Sequence, residues 1–144
     1  DEYPARALER RGSESVTMMP SSRSPRVLIV EDHFAVADSL RMFLENAGFE
    51  VAGMAGTLAA ASALVDRGGF DIAILDIRLG SVSIAPVADR VAAAGVPIVF
   101  LTGYSEADIL PEPLRGHPRL SKPCDPGLLA ATLRRLTDSP PPSP

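Results

Sequence analysis

Three short apolar runs and one shorter strand-like piece in this chain each stop at a polar residue able to do chemistry. Val27-Leu28-Ile29-Val30 ends in Glu31-Asp32, and Ile72-Ala73-Ile74-Leu75 ends in Asp76. Pro97-Ile98-Val99-Phe100-Leu101 ends in Thr102, and a shorter strand-like piece ends in Lys122-Pro123. Strands with no alternation of polar residues are strands covered on both faces, which means a mostly parallel sheet between helices. Ligands of such sheets bind at the carboxyl ends of the strands. All of these polar residues fall there. Three carboxylates at one sheet edge repel one another unless a cation sits among them, so a divalent metal is implied.

The segments between these runs support the same architecture. Phe34, Val36, Ala37, Leu40, Phe43 and Leu44 recur at helical spacing, and Gly48 stops that helix. Phe49–Met54 reads as a second strand, and Thr57 as the N-cap of a helix over Leu58–Asp66. Asp71–Leu75 is a third strand, Ile84–Ala94 a helix, Val96–Leu101 a fourth strand. Ser105–Leu110 is a short helix cut off by Pro111 and Pro113, and Arg119–Ser121 a fifth strand. Asp125 caps a last helix over Pro126–Leu136, with Pro in its first turn. Five strands alternating with five helices, joined by right-handed crossovers, give an α/β fold with a doubly wound, five-stranded parallel sheet.

At 144 residues and 46% hydrophobic content the chain fits one domain with tails. The domain is expected over residues 26–137. Residues 1–25, rich in Ser, Pro and Arg, read as a flexible arm in which Pro4–Arg11 has the propensity for a short helix. Residues 138–144 read as a Pro-rich disordered tail. A net charge of −4 argues against a nucleic-acid partner. A single cysteine, Cys124, excludes an internal disulfide and suits a reducing compartment. The longest apolar runs are too short to span a bilayer, and Asp1-Glu2-Tyr3-Pro4 does not open a secretion signal. A cytoplasmic location is therefore expected, with no membrane partner.

As chemistry, Asp76 is a candidate nucleophile toward phosphorus, forming an acyl phosphate. Attack on an anionic donor needs charge neutralisation. Mg²⁺ held by Asp32 and Asp76 would supply part of it. Lys122, the only lysine among 14 basic residues, would supply a point cation on a flexible stem. Thr102 offers a neutral hydroxyl donor to a phosphoryl oxygen, and Glu31 would orient a metal-bound water. The bland readings are that Glu31-Asp32 caps the next helix, that Asp76 opens a loop, and that Thr102 bonds backbone. They would all have to hold at matching strand ends. His33 and His117 read as surface or turn residues. A catalytic Ser-His-Asp set, His/Cys metal spacing and a G-x-x-x-x-G-K phosphate loop are all absent.

From Arg26 to Leu136 the chain resembles a response-regulator receiver domain. Val30-Glu31-Asp32 matches the acidic pair, Leu75-Asp76-Ile77 the phosphoacceptor, Leu101-Thr102-Gly103 the switch hydroxyl, and Lys122-Pro123 the lysine-proline. The resemblance implies the flavodoxin-like (βα)5 topology with strand order 2-1-3-4-5. It also implies a third metal ligand from the backbone carbonyl of Arg78, and a cis Lys122–Pro123 peptide. Phe100-Leu101-Thr102-Gly103-Tyr104 is similar to the motif of the "FAT GUY" receivers, with Leu at the Ala position. Those are typically single-domain partners of histidine kinases of the HWE and HisKA-2 types. Two departures stand out. Arg78-Leu79-Gly80 replaces the usual Met-Pro turn after Asp76, and Arg119 occupies the position of the aromatic switch residue.

The expectation is a stand-alone response regulator of a two-component system or phosphorelay. It would receive a phosphoryl group on Asp76 from a sensor histidine kinase or a histidine phosphotransfer protein. It would phosphorylate and dephosphorylate itself without turning over a separate substrate, so it is not expected to be an enzyme. Only eight residues follow Leu136, so signalling is expected to run through protein contact, relay or phosphate-sink action, as a monomer or a phosphorylation-dependent dimer. Switching is expected to concentrate in residues 103–110, because Arg119 cannot enter an apolar pocket cheaply. Arg78 and Tyr104 are expected to set the lifetime of the acyl phosphate. A phosphohydrolase of haloacid-dehalogenase type would want an Asp two residues after Asp76, where Arg78 stands. The remaining alternative is a degenerate receiver used as a phosphorylation-independent binding module.

Overall fold

A computed structural model of the chain describes residues 6–7, 24–103 and 109–138. Its strands are β1 (Arg6–Ala7), β2 (Arg26–Val30), β3 (Glu50–Ala55), β4 (Ile72–Asp76), β5 (Arg78–Leu79), β6 (Val82–Ser83), β7 (Ile98–Thr102) and β8 (Arg119–Ser121). Its α-helices are α1 (Phe34–Asn46), α2 (Leu58–Arg67), α3 (Ala85–Ala93) and α4 (Pro126–Thr137). The main sheet runs β1-β3-β2-β4-β7-β8, and β5 and β6 form a separate hairpin. The five strands from β3 to β8 are mutually parallel, which is the expected order 2-1-3-4-5.

The absence of polar alternation has the expected cause. Leu28, Val30, Ala73, Leu75, Ile98 and Phe100 face one layer, packed with Ala61 and Leu64 of α2 and Val87, Ala88 and Val91 of α3. Their sequence neighbours Val27, Ile29, Ile72, Ile74, Val99 and Leu101 face the other, with Ala37, Leu40 and Leu44 of α1 and Leu129, Ala130 and Leu133 of α4. Successive strand residues point to opposite faces, so a strand sandwiched between two helical layers has no position left for a polar side chain.

The helix signals act as read. Thr57 Oγ1 accepts from the Ala60 N–H at 3.1 Å, and Asp125 Oδ1 from the Gly127 N–H at 3.1 Å. Gly48, just past α1, takes φ 101°, which few residues other than glycine tolerate. In α1 the buried stripe is Ala37, Leu40 and Leu44, whereas Phe34 and Val36 lie exposed. Helical spacing identified the helix but overcounted its inner face.

Three further differences are physical. The helical propensity around Pro4–Arg11 is overridden: Arg6–Ala7 is a strand, antiparallel to β3 through Arg6↔Met54 and Ala7↔Gly53. Propensity is a weak prior, and the unpaired edge of β3 offers a template for backbone hydrogen bonds. Four α-helices are found among the described residues rather than five. The Ser105–Leu110 helix falls mostly outside them, and residues 109–118 contain a 3-10 turn at Glu112–Leu114. After Asp76 the chain makes the β5–β6 hairpin, with Gly80 at φ 60° in its turn.

Phe100, in the layer under α2 and α3, is the largest of the fully buried side chains. Phe100→Ala is expected to cost about 3–5 kcal/mol in urea unfolding, and Phe34→Ala on the exposed face of α1 less than about 1 kcal/mol. Equal losses would show that the two layers are wrongly assigned.

Candidate functional site

Backbone register assembles the site. Val30 pairs with Leu75, so Glu31 follows one step beyond β2 beside Asp76 at the end of β4. Asp76 pairs with Leu101, and Thr102 pairs with Ser121, one residue before Lys122. The Glu31 N–H donates to the Ala55 carbonyl and the Lys122 N–H to the Thr102 carbonyl, so the ladder continues into the loops that carry the charges. The Lys122–Pro123 peptide is cis, as expected.

Asp76 and Glu31 are both buried, at 0% and 1% exposure. Lys122 Nζ lies 3.0 Å from Asp76 Oδ2 and 3.5 Å from Glu31 Oε1. Burial lowers the Lys122 ammonium, but the Asp76 and then the Glu31 carboxylate outweigh it, and the net shift is upward. Asp76 is pushed from its usual 3.8 up to about 8, first by desolvation and then by Glu31, with Lys122 opposing. A single lysine therefore does not neutralise this pair. Burial and the Glu31 charge together favour the protonated form of Asp76 in the metal-free protein. Of the carboxylates expected to repel one another at this edge, Glu31 is the one that raises Asp76. The burial of Glu31 against Asp76 makes Glu31 the partner.

Asp32 sits outward, with its side chain 22% exposed. The Gly80 N–H, in the β5–β6 turn, donates to its Oδ2 at 2.9 Å. The His33 N–H donates to Glu31 Oε2 at 2.9 Å. Together with Gly56, Thr57, Leu58, Leu79 and Val82, Asp32, His33 and Gly80 line an open cleft of about 270 Å³.

The donor set fits a hard divalent cation. Asp76 Oδ1 is buried and accepts no hydrogen bond, although Oδ2 of the same group is engaged by Lys122. Buried carboxylate oxygens normally have partners. An oxygen so placed, beside the Glu31 carboxylate, is the kind of hard oxygen ligand that Mg²⁺ takes.

The other expected residues are placed as follows. Thr102 stands at the end of β7, half buried, with its hydroxyl donating to the Gly103 carbonyl at 3.0 Å. Arg78 opens β5, and among the described residues no hydrogen bond or ion pair joins its side chain to Asp76, Glu31 or Asp32. Tyr104 lies outside the described residues. Arg119 is paired opposite Phe100 and is exposed, as a charged residue at that position should be.

Two participants were not singled out from sequence. His33, read as a surface residue, does have an exposed side chain, yet its Nδ1 lies 3.2 Å from Glu31 Oε2 and 3.3 Å from Asp32 Oδ1. The available signal was its position directly after the acidic pair. Gly80 acts through a backbone N–H, which no residue type announces. His117 is accounted for by an edge-on contact with Phe100 at 6.0 Å.

Comparison with known proteins gives a consistent result. The family model of the response regulator receiver domain matches residues 27–134. The alginate biosynthesis transcriptional regulatory protein AlgB of Pseudomonas syringae pv. tomato is 34% identical over 116 residues, covering 77% of this chain and 26% of AlgB. The chain thus spans about a quarter of that relative. The solution structure of SdrG from Sphingomonas melonis is 39% identical, covers 78% of this chain and 96% of SdrG, and superimposes with a TM-score of 0.68. A CheY-like response regulator receiver protein from Methanospirillum hungatei is 26% identical, covers 81% and 95% of the two chains, and gives 0.71. No helix among the described residues is long and apolar enough to cross a membrane.

The Asp76 environment has a pH consequence for the metal-free protein. The folded value of about 8 lies above the usual 3.8. Between the two, the native state keeps a proton that the unfolded chain has released, so stability falls as pH rises through that window and levels off above it. In EDTA, urea unfolding of wild type and Asp76→Asn at pH values from about 5 to about 9 should show wild type losing ground to the variant as pH rises. A constant difference would show that Asp76 titrates normally.

Proposed function

The chain belongs to the response regulator receiver domain family, and from that premise we propose that it accepts a phosphoryl group on Asp76 from the phosphohistidine of a sensor histidine kinase or of a histidine phosphotransfer protein. The observation that carries this reading is the buried Asp76 carboxyl, engaged by Lys122 on one oxygen and bare on the other. A carboxylate oxygen of Asp76 attacks phosphorus, the P–O bond forms as the P–N bond breaks, and the electron pair returns to the donor imidazole. Lys122 holds its ammonium where charge gathers on the phosphoryl oxygens. The Thr102 hydroxyl, which donates here to a neighbouring carbonyl, can turn about one bond to meet a phosphoryl oxygen. Mg²⁺, held by Asp32, Asp76 and the Arg78 carbonyl with Glu31 acting through water, would supply the positive charge that keeps Asp76 ionised and offsets the incoming anion.

In this reading the domain phosphorylates and dephosphorylates itself in the cytoplasm and turns over no separate substrate. It signals by protein contact, relay or phosphate-sink action, as a monomer or a phosphorylation-dependent dimer, with no nucleic-acid or membrane partner of its own. Phe100-Leu101-Thr102-Gly103-Tyr104 supports placement with the FAT GUY receivers, and hence a kinase of HWE or HisKA-2 type. A degenerate, binding-only receiver is disfavoured because the acidic pair, Asp76, Thr102 and Lys122 all stand at one sheet edge.

Incubation with acetyl phosphate and Mg²⁺ should add one phosphate by intact mass, and Asp76→Asn should abolish it. Labelling of the variant at the wild-type level would refute the assignment. Lys122→Ala should keep the fold and lose most of the labelling. The lifetime of the acyl phosphate is assigned to Arg78 and Tyr104. Decay in Arg78→Ala or Tyr104→Ala should quicken by about threefold, or ~0.65 kcal/mol in barrier, and unchanged decay in both would remove them from that role.

A further inference from the structure

We propose that Gly80 is a positioning residue for the divalent cation: its backbone N–H, at the tip of the β5–β6 hairpin, holds the Asp32 carboxylate where it can receive the ion. The proposal rests on the reading that Asp32 is a ligand of that ion, and it concerns what aims the ligand.

The hairpin is anchored at its base and has a donor to spare at its tip. Ile77 follows Asp76 directly, and its carbonyl accepts from the Ile84 N–H at 2.9 Å. Ile77, Leu79 and Ile84 are all buried in the layer under α2 and α3. Arg78 pairs with Ser83 and Leu79 with Val82, so Gly80 and Ser81 alone make the turn. In a two-residue hairpin the flanking pair exchanges the closing backbone bonds, and the N–H of the first turn residue is left outside the ladder. Here that N–H donates to Asp32 Oδ2 at 2.9 Å.

The turn, not crowding, sets the residue type. Gly80 takes φ 60°, and a Cβ built on it would meet nothing within 4 Å. Glycine adopts that conformation at no steric cost, which lets the turn present its N–H outward.

The Asp32 carboxylate has little else to hold it. Its other oxygen, Oδ1, lies 3.3 Å from His33 Nδ1, and that ring is 71% exposed and can exchange the contact for water. The Gly80 N–H, by contrast, is carried on a turn rooted in the core and begun one residue after Asp76. It gauges the Asp32 carboxylate against the strand that bears Asp76. Carboxylates that ligate metals are themselves hydrogen-bonded, and losing such a partner costs roughly 10–100-fold in affinity. The competing reading is that the bond only ties two loops together, in which case its loss lowers stability and leaves Mg²⁺ affinity unchanged.

Replacing the Gly80 N–H by an ester oxygen, through semisynthesis with glycolic acid at that position, deletes the donor and keeps the freedom of the turn. Calorimetry should then show Mg²⁺ bound about tenfold more weakly than by wild type. Labelling of Asp76 by acetyl phosphate should need about tenfold more Mg²⁺ for half-saturation, with a plateau rate within about twofold of wild type. Unchanged affinity, or a lower plateau at unchanged half-saturation, overturns the proposal. With the backbone unmodified, hydrogen exchange of the Gly80 amide should quicken by about tenfold in Asp32→Ala. Equal exchange in the two proteins overturns the proposal even where the ester variant fails to fold. Each of these failures leaves the labelling of Asp76 in wild type, and so the proposed function, intact. Absence of Mg²⁺ binding by wild type overturns this proposal together with the Mg²⁺ part of the proposed function.

Discussion

A carboxyl group buried where water cannot reach it, next to a second buried carboxyl, is the constraint around which the sheet edge is arranged. Asp76 ends the central strand with no exposed surface, Glu31 follows the adjacent strand with almost none, and Lys122 meets both from the far side. Desolvation dominates, which is why Asp76 rises to about 8 although a cation is in contact with it. Charge neutralisation is left incomplete, and that shortfall makes the pocket receptive. It favours added positive charge and disfavours an anion unless the positive charge comes first.

The layers that bury this pair also hold it in place. Each strand sends alternate residues to α2 and α3 on one side and to α1 and α4 on the other, so a one-residue slip of β2 against β4 would put every side chain on the wrong face. Register is therefore fixed by hydrophobic packing far from the site, and the polar residues are placed as a by-product. The site also borrows from local chain geometry. The β5–β6 turn reaches back to Asp32 through the Gly80 N–H, so the loop after the phosphoacceptor candidate and the loop after β2 are tied to each other.

Much of this was legible in the residues because it follows from period and punctuation. All-apolar strands, a Thr57 cap, a Pro126 start and a Gly48 stop are local rules, and each holds. The order in which the strands align their ends was legible through the polar residues themselves, since Glu31-Asp32, Asp76 and Thr102 each follow an apolar run and Lys122 follows a short strand-like piece. What was not legible depended on three-dimensional neighbours. Which acid presses on Asp76 is decided by burial, and Glu31 and Asp32 are indistinguishable from that standpoint in sequence. Gly80 contributes only backbone, and His33 contributes by proximity. The strand at Arg6–Ala7 arises from a vacancy along β3 rather than from its own propensity.

That short strand also gives the sheet a polarity of borders. At one border β1 closes antiparallel over Gly53 and Met54, so the central residues of β3 present no free ladder to another chain. At the other border β8 is three residues long, and its outer side has no strand partner among the described residues. Among the described residues, the β8 border is thus the one whose outer backbone is left for a further strand to pair with. That border adjoins Lys122, so a neighbour seated along it would lie within one residue of the cation that faces Asp76.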